Sequence, residues 1–126
     1  MHVALAPDGA VVGRANIQNI VRGAMWGGVV GYWVDVDHTR RGLATAAVEF
    51  LESEALRLDL HRLEAGTMVE NVASQGVLRA RGFEQFGLVS KFLHLNGAWR
   101  DHVLFQKLLH DDPPPTPGAP SPPTPR

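Results

Sequence analysis

The chain has 126 residues, 12 lysines and arginines against 13 aspartates and glutamates, a formal net charge of −1, and no cysteine. That length bounds it to one domain, and the balanced charge gives no basis for wholesale nucleic-acid binding. The missing cysteines exclude disulfides, thiol nucleophiles and thiolate metal sites together, and fit a reducing cytosol. No apolar run approaches the roughly 20 residues that a membrane span needs, and Met1-His2-Val3 enters a strand-like pattern with no secretory signal, so a cytoplasmic chain without membrane contact is expected.

In chain order, His2–Ala6 and Ala10–Ile20 read as strands joined by Pro7-Asp8-Gly9, a hairpin-turn composition. Arg22-Gly23 and Gly27-Gly28 bracket a loop carrying Met25 and Trp26, and a central strand follows over about Val29–Val36. In it Tyr32, Val34 and Val36 share one face, opposite Gly31, Trp33 and Asp35. Thr39 reads as the N-cap of a helix from Arg40 to about Leu58. Ala44, Val48, Leu51, Ala55 and Leu58 form its apolar stripe, with Thr45, Glu49, Glu52 and Ser53 on the polar side. Arg62–Glu70 alternates Leu63, Ala65, Thr67 and Val69 against its other residues, so it is a strand. Strand, helix and strand make a β-α-β unit, which requires a parallel pair and a right-handed crossover.

A second helix runs from near Asn71 to Gly82, the expected left-handed stop, with Phe83 placed to close against the last turn. Glu84–Leu95 and Trp99–Leu109 are strand-like runs joined by Asn96-Gly97, a strong hairpin signal. The order β-β-β-α-β-α-β-β implies an α/β (α+β) fold, a mixed, mostly antiparallel sheet around a central parallel β-α-β pair. Residues 1–110 are expected to form the domain. Residues 111–126 are expected to be a disordered Pro-rich tail, because eight of the nine prolines lie from Pro113 onward.

The turn from strand to first helix, Thr39-Arg40-Arg41-Gly42-Leu43-Ala44-Thr45, is the chemical focus. The first amides of a helix lack partners within it and its dipole favours negative charge, so this turn suits a phosphate-bearing ligand. An ordinary capped helix with two solvated arginines is the alternative. His38, His61, His94, His102 and His110 show no paired ligand spacing, and no metal is expected. Trp26 on its glycine-flanked loop is the better candidate for substrate contact, with Trp33 packing on the sheet face.

Taken with Asn71-Val72-Ala73-Ser74 and the Arg81-Gly82-Phe83 stop, the turn resembles the acetyl-coenzyme A motif of the GCN5-related N-acetyltransferase (GNAT) superfamily. Gly42 and Ala44 stand at the motif's small positions and Thr39 at its leading one. Gly31-Tyr32-Trp33, the Asn71/Ser74 spacing and the terminal hairpin Asn96-Gly97-Ala98-Trp99-Arg100-Asp101-His102-Val103-Leu104 are similar to its ribosomal-protein-alanine N-acetyltransferase branch. The resemblance implies acetyl-CoA as co-substrate, with the pyrophosphate on Thr39, Arg40, Arg41, Gly42, Leu43, Ala44 and Thr45. It implies that the strand ending at this turn splays from the next one, and that in the gap Val34 and Val36 offer amides to the thioester and the pantetheine arm, the Val34 amide facing the developing oxyanion. It implies that Asn71 contacts the coenzyme and that Ser74 protonates the departing thiolate. Members of the family begin with a strand and two helices forming a wall of the acceptor groove. This sequence starts after them, as a misassigned start or a shortened product would.

Leu93 occupies the position where some relatives carry a basic glutamate. Deprotonating an α-amino group of pKa near 8 costs about 1.4 kcal/mol at pH 7, and a lysine about 4.6 kcal/mol. A site without that carboxylate therefore favours a protein or peptide amino terminus as acceptor, and the resemblance points to that of a ribosomal protein. His94, Asp101 and His102 are candidate helpers. A non-catalytic acyl-CoA-binding module and a small nucleotide-binding protein are the other readings.

Overall fold

The computed structural model describes residues 2–5, 11–34 and 42–115. Its elements are β1 (His2–Leu5), β2 (Val11–Val21), β3 (Gly27–Val34), α1 (Leu43–Arg57), β4 (Arg62–Met68), α2 (Val72–Ala80), β5 (Glu84–Leu95) and β6 (Ala98–Leu108), the order expected from the sequence. They form one six-stranded sheet in the spatial order β1-β2-β3-β4-β6-β5. Every neighbouring pair is antiparallel except β3 and β4, which run parallel as the α1 crossover requires.

Alternation along the strands decides which face is covered. Leu63, Ala65 and Thr67 of β4 are buried, and their register partners across β6 include Phe105 and Val103. With Ala15 and Val30 they form the sheet side of the core, against Val48, Leu51 and Ala55 of α1 and Leu78 of α2. Both helices therefore lie on this face, as right-handed connections in the same direction dictate. Gly28 points into the same layer, where an added Cβ would stand 2.6 Å from Ile17 Cγ2, so only glycine lets the strands carry that packing.

Local stops follow the sequence closely. Gly82 has φ +87°, and Phe83 N–H donates to Leu78 O at 2.9 Å, closing α2 with a buried Phe83 behind it. Asn96 and Gly97 both have positive φ, 52° and 83°, the geometry of the tight hairpin that joins β5 to β6.

Two expectations are corrected. α1 opens at Leu43 with Gly42 as N-cap at φ +72°, not at Arg40 behind Thr39, because a left-handed residue cannot sit inside a right-handed helix. Glu52, placed on the polar side by spacing, is buried at 7% exposure. Arg81 donates to both its carboxylate oxygens at 3.1 Å and Lys107 Nζ to Oε1 at 2.7 Å, so the carboxylate is paired with two cations rather than solvated. It ties α1 to the end of α2 and to β6.

Phe105, fully buried beneath both helices, is expected to cost about 3–5 kcal/mol when changed to Ala. Trp99, 61% exposed and resting edge-on against His94, is expected to change stability by less than about 1 kcal/mol in Trp99→Ala. Urea unfolding of the two variants measures the contrast; similar midpoints would contradict this assignment of the core.

Candidate functional site

Two parallel strands that begin as neighbours do not stay so. β3 and β4 pair only at Gly27↔Arg62, Gly28↔Leu63 and Val29↔Glu64. Beyond that point β3 follows β2 as far as Gly13↔Val34, and β4 follows β6 as far as Met68↔His102. The facing edges of Val30–Val34 and Ala65–Met68 therefore bound a wedge that opens toward the carboxyl ends of both strands. Backbone N–H and C=O groups demand partners, so two such edges suit an extended ligand that inserts as a strand would. In sheets with parallel strands this end is also where ligands enter.

Both helix N-termini lie at that end. α1 begins with no side-chain hydrogen bond to its first amides and no acidic residue in its first turn. Ala46 N–H reaches Gly42 O at 2.9 Å, while the amides of Leu43, Ala44 and Thr45 come before the first complete helical bond. An added Cβ at Gly42 would meet nothing within 4 Å, so the backbone there is bare on its outer side. Among the described residues, no side-chain anion occupies this anion-accepting terminus.

α2 is capped instead. Asn71 Oδ1 accepts from Ser74 N–H at 3.2 Å. Gln75, buried, donates from Nε2 to Val69 O at 2.9 Å and Met68 O at 3.2 Å, fixing how β4 turns into the helix. The Ser74 hydroxyl faces β3, where it lies 2.5 Å from the Tyr32 hydroxyl, so this pair bridges the wedge on its helix side. Burial pushes the Tyr32 phenol above its ordinary value, and the hydrogen bond with Ser74 offsets part of that.

Of the residues singled out from the sequence, Val34 ends β3 at the wedge, and Gly42, Leu43, Ala44 and Thr45 form the bare terminus of α1. Asn71 and Ser74 open α2 across from β3. Val36, Thr39, Arg40 and Arg41, with the side chain of Trp33, lie outside the described residues. The candidate helpers have other partners. His94 packs against Trp99, Asp101 Oδ1 accepts from Lys91 N–H at 2.9 Å, and His102 is buried beneath Phe92 with Nδ1 3.0 Å from Arg100 O. Trp26 packs against the core, with the Arg22 guanidinium over its ring. It also helps to line a cavity of about 280 Å³ with His61 and His110, at the opposite end of β3 and β4 from the wedge.

Gln75 and Thr67 were not singled out, and Tyr32 only within Gly31-Tyr32-Trp33, without a role. Thr67 is buried on the stretch of β4 that borders the wedge, and its Oγ1 has no hydrogen-bond partner among the described residues. Alternation assigns Tyr32 and Thr67 to the inner face but cannot say what each meets there.

The match to the Acetyltransferase (GNAT) family model covers residues 1–83, from the first strand to the stop of α2. A "Probable N-acetyltransferase YjcK" of Bacillus subtilis is 37% identical over 108 residues, which are 85% of this chain and 60% of that protein. The crystal structure of the ribosomal-protein-S5-alanine acetyltransferase from Vibrio fischeri superposes with a TM-score of 0.79 at 33% identity, covering 85% of this chain and 59% of that one. Mycobacterium smegmatis RimJ in complex with CoA-disulfide superposes with a TM-score of 0.75 at 40% identity, covering 80% and 49%. The chain thus spans about half to three fifths of the length of these relatives.

Two outcomes test the geometry without any ligand. A raised phenol pKa means that Tyr32 contributes stability fully below the ordinary value of 10.0, lost as pH climbs from there through the folded-state value. Because Tyr32 is the only tyrosine, absorbance at 295 nm reads it alone, and a midpoint at or below the ordinary value would contradict its burial. Thr67→Val removes an unsatisfied buried hydroxyl and is expected to raise stability by up to about 1 kcal/mol in urea unfolding; a loss of that size would mean the hydroxyl has a partner.

Proposed function

The chain belongs to the GNAT acetyltransferase family, and from that premise and the wedge between β3 and β4 we propose that it binds acetyl-CoA and transfers the acetyl group to an amine, the α-amino group of an amino-terminal alanine. The observation that carries this reading is the separation of β3 from β4 beside a helix terminus that no acidic side chain caps among the described residues. The amides of Leu43, Ala44 and Thr45 receive the pyrophosphate, together with Thr39, Arg40 and Arg41. The edge of β3 around Val34, continuing to Val36, pairs with the pantetheine arm. Asn71 holds the coenzyme from the α2 side.

The coenzyme supplies an acetyl thioester. The uncharged amine adds to the carbonyl carbon and the C–S bond then breaks from the tetrahedral intermediate; nitrogen gives up one proton and sulfur gains one, so the products are the amide and the free thiol. Within that balance the Val34 amide faces the oxyanion of the tetrahedral intermediate. Ser74 offers its hydroxyl proton to the leaving sulfur. With Leu93 where some relatives carry a glutamate, an amine that deprotonates cheaply is the suitable acceptor, which favours an amino terminus, of a ribosomal or another protein, over a lysine side chain.

A second reading is that the chain is an acyl-CoA-binding module that lacks a complete acceptor site. The sheet face opposite α1 and α2 carries no helix among the described residues, which supports it.

At a hundredfold excess over Kd, acetyl-CoA is expected to stabilise the protein by about 2.7 kcal/mol in thermal unfolding, with ATP and NAD far less effective. Gly42→Val, which forces a β-branched residue to φ +72°, is expected to weaken that stabilisation. Equal stabilisation by ATP would sink the coenzyme assignment. Mass spectrometry of an alanine-initiated peptide incubated with acetyl-CoA, beside an amino-terminally blocked peptide with an internal lysine, separates transfer from binding alone. Acetylation of the lysine peptide alone would overturn the acceptor assignment.

A further inference from the structure

We propose that Tyr32 is a positioning residue of the transfer site: its phenol donates to Ser74 Oγ and so commits the Ser74 proton to an acceptor in the wedge, the coenzyme sulfur. The inference rests on the coenzyme-binding reading above and adds to it a role for Tyr32.

Tyr32 lies on the part of β3 that has already left β4, and its side chain points to the helix-covered face. Its hydroxyl lies 2.5 Å from Ser74 Oγ, in the first turn of α2. The two residues come from opposite walls of the wedge, 42 positions apart in sequence. Either hydroxyl can donate, but the phenol is the far stronger acid and therefore the better donor. A serine that accepts from Tyr32 retains one proton and one rotor, and its backbone N–H is already held by Asn71 Oδ1. Its hydroxyl is left a narrow choice of direction. Burial keeps Tyr32 neutral, so it serves as a donor and not as a source of charge beside the thioester. Ala15 is its register partner on β2, and Ser74 faces it from α2; among the described residues, burial and the Ser74 hydroxyl account for its shift.

The test uses the fact that Tyr32 is the single tyrosine of the chain, so that its ionisation is read at 295 nm without assignment. In the free protein, Ser74→Ala is expected to raise the titration midpoint, because the serine no longer stabilises the phenolate. Coenzyme A is expected to raise the wild-type midpoint, because the Ser74 proton then goes to sulfur; desulfo-coenzyme A is expected to bind and leave the midpoint where it was. Absence of any coenzyme binding overturns the underlying reading and this inference together. Binding of both coenzymes with an unmoved midpoint, or a midpoint indifferent to Ser74→Ala, overturns the inference alone.

A kinetic arm keeps the inference falsifiable should alkaline conditions unfold a variant. With the alanine-initiated peptide, Tyr32→Phe, Ser74→Ala and the double variant are expected to lose a similar factor in kcat, about tenfold, at an unchanged KM for acetyl-CoA. Ser74→Thr, which keeps a hydroxyl, is expected to recover part of the loss. Multiplying losses in the double variant, or a rise in KM without a fall in kcat, would show that Tyr32 only packs.

Discussion

Each of the two central strands keeps a different outer partner, and that constraint shapes everything else. β3 is held along its length by β2, and β4 by β6, so the two can share hydrogen bonds only where those commitments allow, from Gly27 to Val29 against Arg62 to Glu64. A backbone edge without a ladder is normally covered or avoided. Here two such edges face each other within one sheet, with both helix N-termini at their open end. The space has the polarity of a strand position, bounded by amides and carbonyls on two sides. A thin extended ligand with amide groups of its own meets that demand better than a compact one.

The helices are anchored so that their termini hold position at this opening. Glu52 on α1 takes Arg81 from the end of α2 and Lys107 from β6, while Lys107 also donates to Arg81 O at 2.6 Å. A buried carboxylate with two cations is costly to remove on one side only, because the others are then left without it. Gln75 does for the β4–α2 turn what Glu52 does for α1, its amide donating to the carbonyls of both Met68 and Val69. The site residues themselves carry little of this structural work, as suits groups that must meet a ligand.

What could be read in the sequence was whatever depends on local conformation. Gly82 and Asn96-Gly97 announce left-handed backbone, and the structure places them there at φ +87°, 52° and 83°. Alternation along Arg62–Met68 and the apolar stripe of α1 gave the core face, because the periods are local too. The start of α1 was misplaced because Thr39 has good capping chemistry, whereas the conformation of Gly42 overrides it. Glu52 was misplaced because its cations come from positions 81 and 107, and no local period reports a partner that distant. The separation of β3 from β4 was legible only through the family resemblance, and the Tyr32–Ser74 contact was hidden because its two hydroxyls lie 42 positions apart on different elements.

Seen as a mechanical object, the sheet is two leaves, β1-β2-β3 and β4-β6-β5, hinged along three residue pairs. α1 lies on the first leaf, against β2 and β3, and Glu52 and Tyr32 act as clasps that reach from it to the second. Opening such a hinge by a small angle widens the gap least at Val30 and most at Val34. The end of β3 that approaches the reacting group is therefore also the end whose spacing is most sensitive to how tightly the clasps are fastened.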